Sequence, residues 1–102
     1  MPVIVENRYY ALPDHAVEAL ATRRRASQLR RMANKPTGRI LLPLTAGGST
    51  PTFVWQCEYP DVDSRMEDAN WAETSPQFQE IANHMATLLS RFERYMYETD
   101  DV

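Results

Sequence analysis

Two strand-like segments joined by a glycine-containing loop constrain the fold of this chain most strongly. Residues 39–44 and 52–59 are rich in β-branched, aliphatic and aromatic side chains, which favour extended structure. The connection at 46–51 holds two glycines and a proline, residue types that often form turns. Large or apolar residues alternate along the second segment: Phe53, Trp55, Cys57 and Tyr59. This pattern predicts an antiparallel hairpin whose second strand has one apolar face.

A strand and a helix are predicted before the hairpin. Residues 3–12 alternate as a strand does, but both faces mix apolar and polar side chains. Residues 14–34 contain no glycine or proline, so they predict a helix. Asp14 is placed to cap that helix, and Val17, Leu20 and Ala21 open a thin apolar stripe that would face the sheet.

Two helical segments are predicted after the hairpin. Residues 61–73 predict a polar helix with Val62, Met66 and Ala69 facing inward, and Trp71 is a further candidate for that side. Ser75 and the proline after it restart a helix, since a serine cap followed by proline in the first turn is a common helix start. A clear apolar stripe continues this helix: Phe78, Ile81, Ala82, Met85, Leu88 and Leu89.

The segment 90–99 is ambiguous between helix and strand. Phe92 and Met96 continue the helical stripe, whereas Phe92, Tyr95 and Tyr97 are residues that strands also favour. Three strands and two helical regions require a fourth strand to complete the sheet, so we predict a strand here. The chain is then one α+β domain over residues 1–102, a ferredoxin-like βαββαβ fold with a four-stranded antiparallel sheet and helices on one face.

The uncovered face of such a sheet predicts association. Apolar and aromatic side chains occur on both faces of the first and third strands, so both faces should be at least partly buried. A second copy of the chain is the simplest cover. We therefore expect a homodimer.

The charge distribution bears on the partners. The net charge of −3 gives no general electrostatic reason to bind nucleic acid or an anionic membrane. The charge is uneven: residues 14–35 hold six basic and two acidic residues, and residues 58–80 hold seven acidic and one basic. Two interpretations remain open: solvated faces that attract each other, or an arginine patch that holds an anionic ligand.

Cysteine and histidine usage gives no support for a metal or a cofactor. Cys57 is the lone cysteine, so it can form no intramolecular disulfide. Because it lies in the middle of a predicted strand, we interpret it as a small hydrophobic residue of the core. No spacing typical of zinc ligands occurs, and haem ligation has no sequence support. The opening residues lack a signal-peptide pattern, and no window approaches the ~20 apolar residues of a membrane span. We therefore expect a cytoplasmic protein without a cofactor.

Three segments resemble a known family. The first strand, around 5–12, resembles that of NIPSNAP-type proteins, which runs as alternating Glu, Arg, Tyr and Leu. The run 54–59 is similar to their third strand, and 75–78 is similar to their helix start. The departures are Trp55 and Cys57, where that family often has His and Trp, and Ser75, where it has Asp.

The resemblance implies a dimeric α/β barrel, in which the sheets of two subunits pack together. It also implies a cleft between sheet and helices for a small, often aromatic molecule. The wider superfamily includes cofactor-free monooxygenases, haem-degrading enzymes, lactone isomerases and proteins with no assigned activity. The fold does not select among these functions.

The candidate ligand-binding residues combine polar and aromatic side chains: Arg8, Tyr10, Trp55, Tyr59 and Trp71. In this hypothesis Arg8 and Tyr10 supply polar contacts to an aromatic-walled cleft. The alternative is an ion pair of Glu6 with Arg8 that fixes the sheet or the dimer. His15 and His84 are most simply interpreted as surface residues. If one of them is catalytic, His84 is favoured as the general base.

These predictions lead to two alternative hypotheses about the function. The first is a homodimer that binds a small, aromatic organic molecule and acts as an oxygenase or isomerase without a cofactor. The second is a non-catalytic structural or interaction module. An enzyme should have Arg8, Tyr10 or His84 directed into open space beside Trp55, whereas a structural module should have those side chains paired and that space filled.

Overall fold

The computed structural model describes residues 1–100. They form seven elements in chain order: β1 (Val3–Ala11), α1 (Ala16–Met32), β2 (Arg39–Leu41), β3 (Phe53–Tyr59), α2 (Val62–Thr74), α3 (Pro76–Ala86) and β4 (Leu89–Glu98). The C-terminal segment is therefore a strand, as the topology argument predicted, and the helical alternative is excluded.

The four strands form one antiparallel sheet in the order β2-β3-β1-β4. β1 lies in the centre, with Val5 opposite Cys57 of β3 on one side and opposite Met96 of β4 on the other. This strand order and connectivity are those of a ferredoxin-like fold. The predicted fold class is confirmed.

One face of the sheet carries the core. Alternate residues of the two central strands point toward the helices and are buried: Val3, Val5, Asn7 and Tyr9 from β1, and Phe53, Trp55, Cys57 and Tyr59 from β3. Tyr9 and Phe53 stack across the two strands with ring centroids 4.7 Å apart. The intervening residues of β1, such as Arg8 and Tyr10, lie on the opposite face and are only partly buried.

The first helix starts later than the sequence predicts. Asp14 adopts a φ of 66°, the left-handed region, whereas a residue that caps a helix has extended backbone. His15 occupies the position before the helix instead, and no side chain caps it. The prediction of Asp14 as the cap is wrong for this reason.

The buried side of α1 also differs from the prediction. Val17 is 87% exposed, and the residues that face the sheet are spaced three or four apart along one side: Ala19, Thr22, Arg23, Ala26 and Arg30. The basic segment is thus divided. Arg24, Arg25 and Arg31 are exposed, whereas Arg23 and Arg30 lie under the helix against the sheet, contrary to a fully solvated basic face.

The hairpin and the acidic helix show two smaller differences. β2 ends at Leu41 and not at residue 44, because Pro43 has no amide hydrogen for a strand ladder. Val62 and Met66 of α2 are 48% and 63% exposed, and the buried residue of that helix is Asp68. Ala69 and Trp71, which the sequence also predicts to face inward, are partly buried. A charged residue occupies the most buried position because Asp68 pairs with Arg30 of α1.

The starts of α2 and α3 are well capped. Asp61 accepts a hydrogen bond from the Ser64 amide at 2.7 Å. Ser75 accepts one from the Phe78 amide at 3.2 Å, with proline in the first turn as predicted. These caps position the two helices over one end of the sheet, where α2 contacts β3 and α3 contacts α1.

Candidate functional site

A cavity of about 540 Å³ lies between the helix-covered face of the sheet and the three helices. β1 and β3 form its floor, with Tyr9, Trp55 and Tyr59 among the lining residues. Small residues of the helices also line the cavity: Ala26 of α1, Ala69 and Ala72 of α2, and Ala82 and Ala86 of α3. The cavity exists because alanine side chains are too short to fill the gap between helix and sheet.

A buried polar cluster of Arg30, Tyr59 and Asp68 closes one part of the wall. Arg30 Nη2 donates to Asp68 Oδ2 and, at 3.3 Å, to the Tyr59 hydroxyl; its Nε donates to the Pro36 carbonyl at 2.7 Å. The Tyr59 hydroxyl in turn donates to Asp68 Oδ2. The pKa of Tyr59 is raised far above its usual range, mainly by burial of the hydroxyl and next by this hydrogen bond. Arg30 is thereby neutralised, and Tyr59 keeps its proton.

Arg23 lies two helical turns before Arg30 on the same side of α1, and its environment differs. It is only 4% exposed. Its Nη1 donates to the Tyr9 hydroxyl at 3.2 Å, and its guanidinium carbon lies 4.7 Å from the centroid of Trp55. Its Nε and Nη2 have no hydrogen-bond partner among residues 1–100. We call these two groups the open edge of Arg23.

The remaining charged residues of the lining are mostly basic. Asn7 is buried, and its Oδ1 accepts from Arg94 Nε at 2.9 Å. The pKa of Arg94 is lowered by desolvation of its guanidinium and by the nearby positive charge of Arg65, although the residue as a whole is exposed. Asp68 Oδ1 and Arg65 Nε are buried and accept or donate no hydrogen bond within the described part of the chain.

The structure brings together only part of the predicted site. Trp55 and Tyr59 line the cavity. Trp71 lies beside it, 5.3 Å from the ring of Phe78, which does line it.

Arg8 and Tyr10 lie on the other face of the sheet, and so they make no contact in this cavity. Arg8 Nε donates to Glu6 at 2.8 Å, and the Tyr10 hydroxyl donates to Glu93 at 2.9 Å. The predicted grouping of these two residues with Trp55 is corrected, since successive strand residues point to opposite faces.

The two histidines and the cysteine lie outside the polar part of the cavity. His84 Nε2 is 3.1 Å from Glu18 Oε1, which joins α3 to α1 at the surface, and His15 Nδ1 lies 2.7 Å from the Pro13 carbonyl. Cys57 is buried, and that burial raises the pKa of its thiol. The catalytic role of His84 stays a prediction. Among residues 1–100, no group of three His, Cys, Asp or Glu side chains could hold a metal ion.

The sequence reasoning missed Arg23, Arg30 and Asp68 as site residues. A signal for the two arginines exists in the sequence. Small residues at 19, 22 and 26 define the sheet-facing side of α1, and the same spacing continues to Arg23 and Arg30. The expectation that arginines face solvent outweighed that spacing.

Comparison with known proteins shows the fold. No protein-family model matches the chain, and no curated protein matches it. None of the helices in residues 1–100 has the length and apolar character that a membrane span requires.

Three solved structures illustrate the similarity. A NIPSNAP family protein from Agrobacterium tumefaciens has a TM-score of 0.78 and 14% identity over 99% of this chain and 95% of that chain. A dimeric protein of unknown function with a ferredoxin-like fold from Bacteroides fragilis gives 0.71 and 14% over 96% of each chain. SnoaB, a cofactor-independent oxygenase from Streptomyces nogalater, gives 0.69 and 18% over 99% and 95%. At these identities the similarity extends to the fold, and the resemblance to NIPSNAP-type proteins is confirmed at that level: this chain has the ferredoxin-like fold that these proteins share.

Proposed function

We propose that this protein binds a small, aromatic organic molecule in the cavity between the sheet and the helices. The observation that carries the proposal is a cavity of about 540 Å³ with Trp55, Tyr9 and Tyr59 in its floor and a few buried polar groups beside them. Binding sites for small molecules are typically concave and apolar, with few polar groups and volumes of roughly 300–1,000 Å³.

The alternative, a non-catalytic structural or interaction module, has one observation in its favour. Arg8, Tyr10 and His84 are each paired with an acidic side chain, which is what a structural module predicts. Side chains do not fill the space beside Trp55, however, and Arg23, whose Nε and Nη2 have no hydrogen-bond partner among residues 1–100, is one of its lining residues. Because an unpaired buried charge is costly, a purely structural core would be expected to fill that space or pair that charge. The unfilled space and the unpaired charge together favour a binding site over a structural module.

The reaction we propose is oxygenation or isomerisation without a bound cofactor. The fold it shares with SnoaB, a cofactor-independent oxygenase, supports this class. The chemistry of the wall is also suitable, since an arginine in a water-poor site stabilises negative charge that develops on a substrate oxygen. The Tyr59 hydroxyl, held neutral by burial and Asp68, acts in this proposal as a hydrogen-bond donor and not as a base.

We further propose that the protein is a homodimer formed through the uncovered face of the sheet. That face presents partly exposed apolar and aromatic residues, including Ile4, Val54, Tyr95 and Tyr97. The ferredoxin-like protein from Bacteroides fragilis is described as dimeric. A single domain over residues 1–102 and a cytoplasmic location remain predictions from the sequence.

Tryptophan fluorescence tests ligand binding directly. Trp71 would be replaced by Phe, so that the remaining emission comes from Trp55 in the cavity floor. Titration with bicyclic aromatic compounds, such as quinoline and 2-naphthol, should quench or shift that emission in a saturable way.

A cavity-filling variant shows where the compounds bind. Ala72→Phe places a ring in the cavity and should abolish binding, whereas Ala21→Phe, on the exposed side of α1, should leave it unchanged. Binding that survives Ala72→Phe would contradict the assignment to this cavity. Oxygen uptake measured with each bound compound then separates an oxygenase from an isomerase or a binding protein.

A further inference from the structure

We infer that the ligand of this cavity carries an ionised oxygen, as a carboxylate or an ionised phenol or enol does, and that the open edge of Arg23 binds it. The inference deepens the proposed function and rests on it. It concerns Arg23, a buried charged residue whose presence the aromatic character of the cavity does not explain. The first observation is the hydrogen bonding of Arg23, which leaves Nε and Nη2 without partners among residues 1–100.

The geometry of those two groups suits an anionic oxygen pair. Nε–H and one Nη–H of a guanidinium point the same way in a fixed plane, and they match the two oxygens of a carboxylate. Nη1 is already used by the Tyr9 hydroxyl at 3.2 Å. Contact with Trp55, whose ring centroid is 4.7 Å from the guanidinium carbon, further fixes the plane. Arg23 is thus held in place by Tyr9 and Trp55, and it is one of the residues that line the cavity.

Arg30 provides an internal comparison. Both arginines lie on the same side of α1, both are buried, and both contact Trp55. Arg30 has a carboxylate partner in Asp68, but no acidic residue in the described part of the chain pairs with Arg23. The missing counter-charge of Arg23 is what an anionic ligand would supply.

The charge around the cavity supports the same conclusion. The chain as a whole is acidic, with a net charge of −3. The cavity lining nevertheless includes five arginines (Arg23, Arg30, Arg65, Arg91 and Arg94) and only two acidic residues, Asp68 and Glu73. Arg30 is paired with Asp68, and Arg91 is paired with Glu93 on the other face of the sheet. The remaining lining charges are three arginines and Glu73. A concave site lined by one sign of charge attracts ligands of the opposite sign.

Asp68 sets the orientation of such a ligand. Its Oδ2 is bound by Arg30 and Tyr59, and its buried Oδ1 accepts no hydrogen bond within residues 1–100. A carboxylate oxygen repels an anion and accepts from a donor. The ionised oxygen is therefore directed to Arg23 and away from Asp68.

Two ligands of nearly equal shape test the inference. Naphthalene-1-carboxylate and naphthalene-1-carboxamide would be titrated at pH 7 into the Trp71→Phe protein, with Trp55 emission as the signal. The carboxylate should bind about tenfold or more tightly than the amide, the ratio expected for a charge-assisted hydrogen bond.

Variants of Arg23 assign the effect to that residue. Arg23→Met should reduce carboxylate affinity to that of the amide and leave amide affinity unchanged, and Arg23→Lys should give an intermediate loss. Arg25→Met is the matched control, because Arg25 is exposed on the same helix, and it should have no effect. Circular dichroism checks that each variant is folded.

The outcomes separate the inference from the proposed function. Equal binding of carboxylate and amide to the parent protein overturns the inference and leaves the aromatic site standing. Failure of both to bind at millimolar concentration counts against the proposed function itself. A preference for carboxylate that persists in Arg23→Met shows that another arginine binds the anion and also overturns the assignment. The comparison of the two ligands on the parent protein decides the first question even if a variant does not fold.

Discussion

At the scale of single residues, the two buried arginines of α1 differ in how many of their hydrogen-bond donors have a partner. Arg30 is satisfied by Asp68, Tyr59 and the Pro36 carbonyl. Arg23 has one partner, the Tyr9 hydroxyl, for its Nη1 and none for its open edge among residues 1–100. Burial of polar groups is costly when hydrogen bonds are missing and much less so when they are made.

Replacement of the two arginines by methionine should therefore change stability in opposite directions. Arg30→Met leaves Asp68 buried without its cation, and should lower the free energy of unfolding by about 3–5 kcal/mol. Arg23→Met removes unpaired donors, and should raise the free energy of unfolding of the ligand-free protein by about 1 kcal/mol. Urea unfolding at pH 7 measures both. If Arg23→Met destabilises the protein as much as Arg30→Met does, Arg23 is a structural residue.

Tyr59 should make stability sensitive to alkaline pH. Burial and the hydrogen bond to Asp68 raise its pKa, so folding favours the neutral tyrosine. This contribution is complete below the usual tyrosine pKa of about 10 and is lost as pH rises above it toward the folded pKa. The free energy of unfolding of the parent protein should fall between pH 9 and pH 11, and Tyr59→Phe should show a shallower fall. Tyr97→Phe, at a 45% exposed position, is the control. Equal slopes for all three proteins would rule out this role.

At the scale of elements, the sequence predicts whether a segment is a helix or a strand better than it predicts which face of that segment is buried. Alternation of residues predicts β1 and β3, and the need for a fourth strand predicts β4. The side of β1 that the helices cover cannot be read from polarity, because it contains the buried Asn7 and the opposite side contains Ile4 and Tyr10. The same limit applies to α1, where two arginines are buried and Val17 is exposed. Contacts that allow such polar residues to be buried, like that of Arg30 with Asp68, join segments that are distant in sequence. The local sequence pattern therefore does not predict them.

The start of α2 gives a prediction about a single element. Hydrogen bonds from Ser64 hold the pKa of Asp61 below its usual range, so the ionised cap stabilises the helix at neutral pH. That contribution is present above the unfolded-state pKa and is lost as pH falls through the folded one. Asp61→Ala should lower the urea midpoint at pH 7, and the difference from the parent should shrink toward pH 3. Asp61→Asn keeps an acceptor but lacks the charge, so it should lie between the parent and Asp61→Ala at pH 7. An Asp61→Ala difference that is constant with pH would contradict the role of the charge.

At the scale of the whole molecule, the two faces of the sheet have different environments. Helices cover the face that carries Trp55 and the cavity, and the other face has no cover within residues 1–100. Several polar residues on that second face are paired with one another. Tyr10 of β1 donates to Glu93 of β4, and Arg91 donates to Glu93 along β4 itself. Because these groups are already paired, the part of the face that carries them can pack against a copy of itself without isolating a charge.

A charge placed on the uncovered face should break the proposed dimer. Tyr97 is partly exposed in the single chain, so Tyr97→Lys should be tolerated by the fold but should oppose burial in an interface. The parent protein should elute as a dimer in size-exclusion chromatography with light scattering, and Tyr97→Lys should shift toward the monomer. Met32→Lys, at an 82% exposed position on α1, should remain dimeric. A monomeric parent protein would contradict the proposal at once.

The division of the cavity between floor and rim has an evolutionary consequence. Its floor residues, such as Tyr9, Trp55 and Tyr59, belong to the hydrophobic core, so their replacement would cost stability. The rim includes Ala82 and the 42% exposed Phe92, positions where a change of side-chain size alters the cavity at little cost to the fold. Descendants of this chain can therefore acquire new ligand preferences by substitution at the rim, while the floor and the architecture are inherited unchanged.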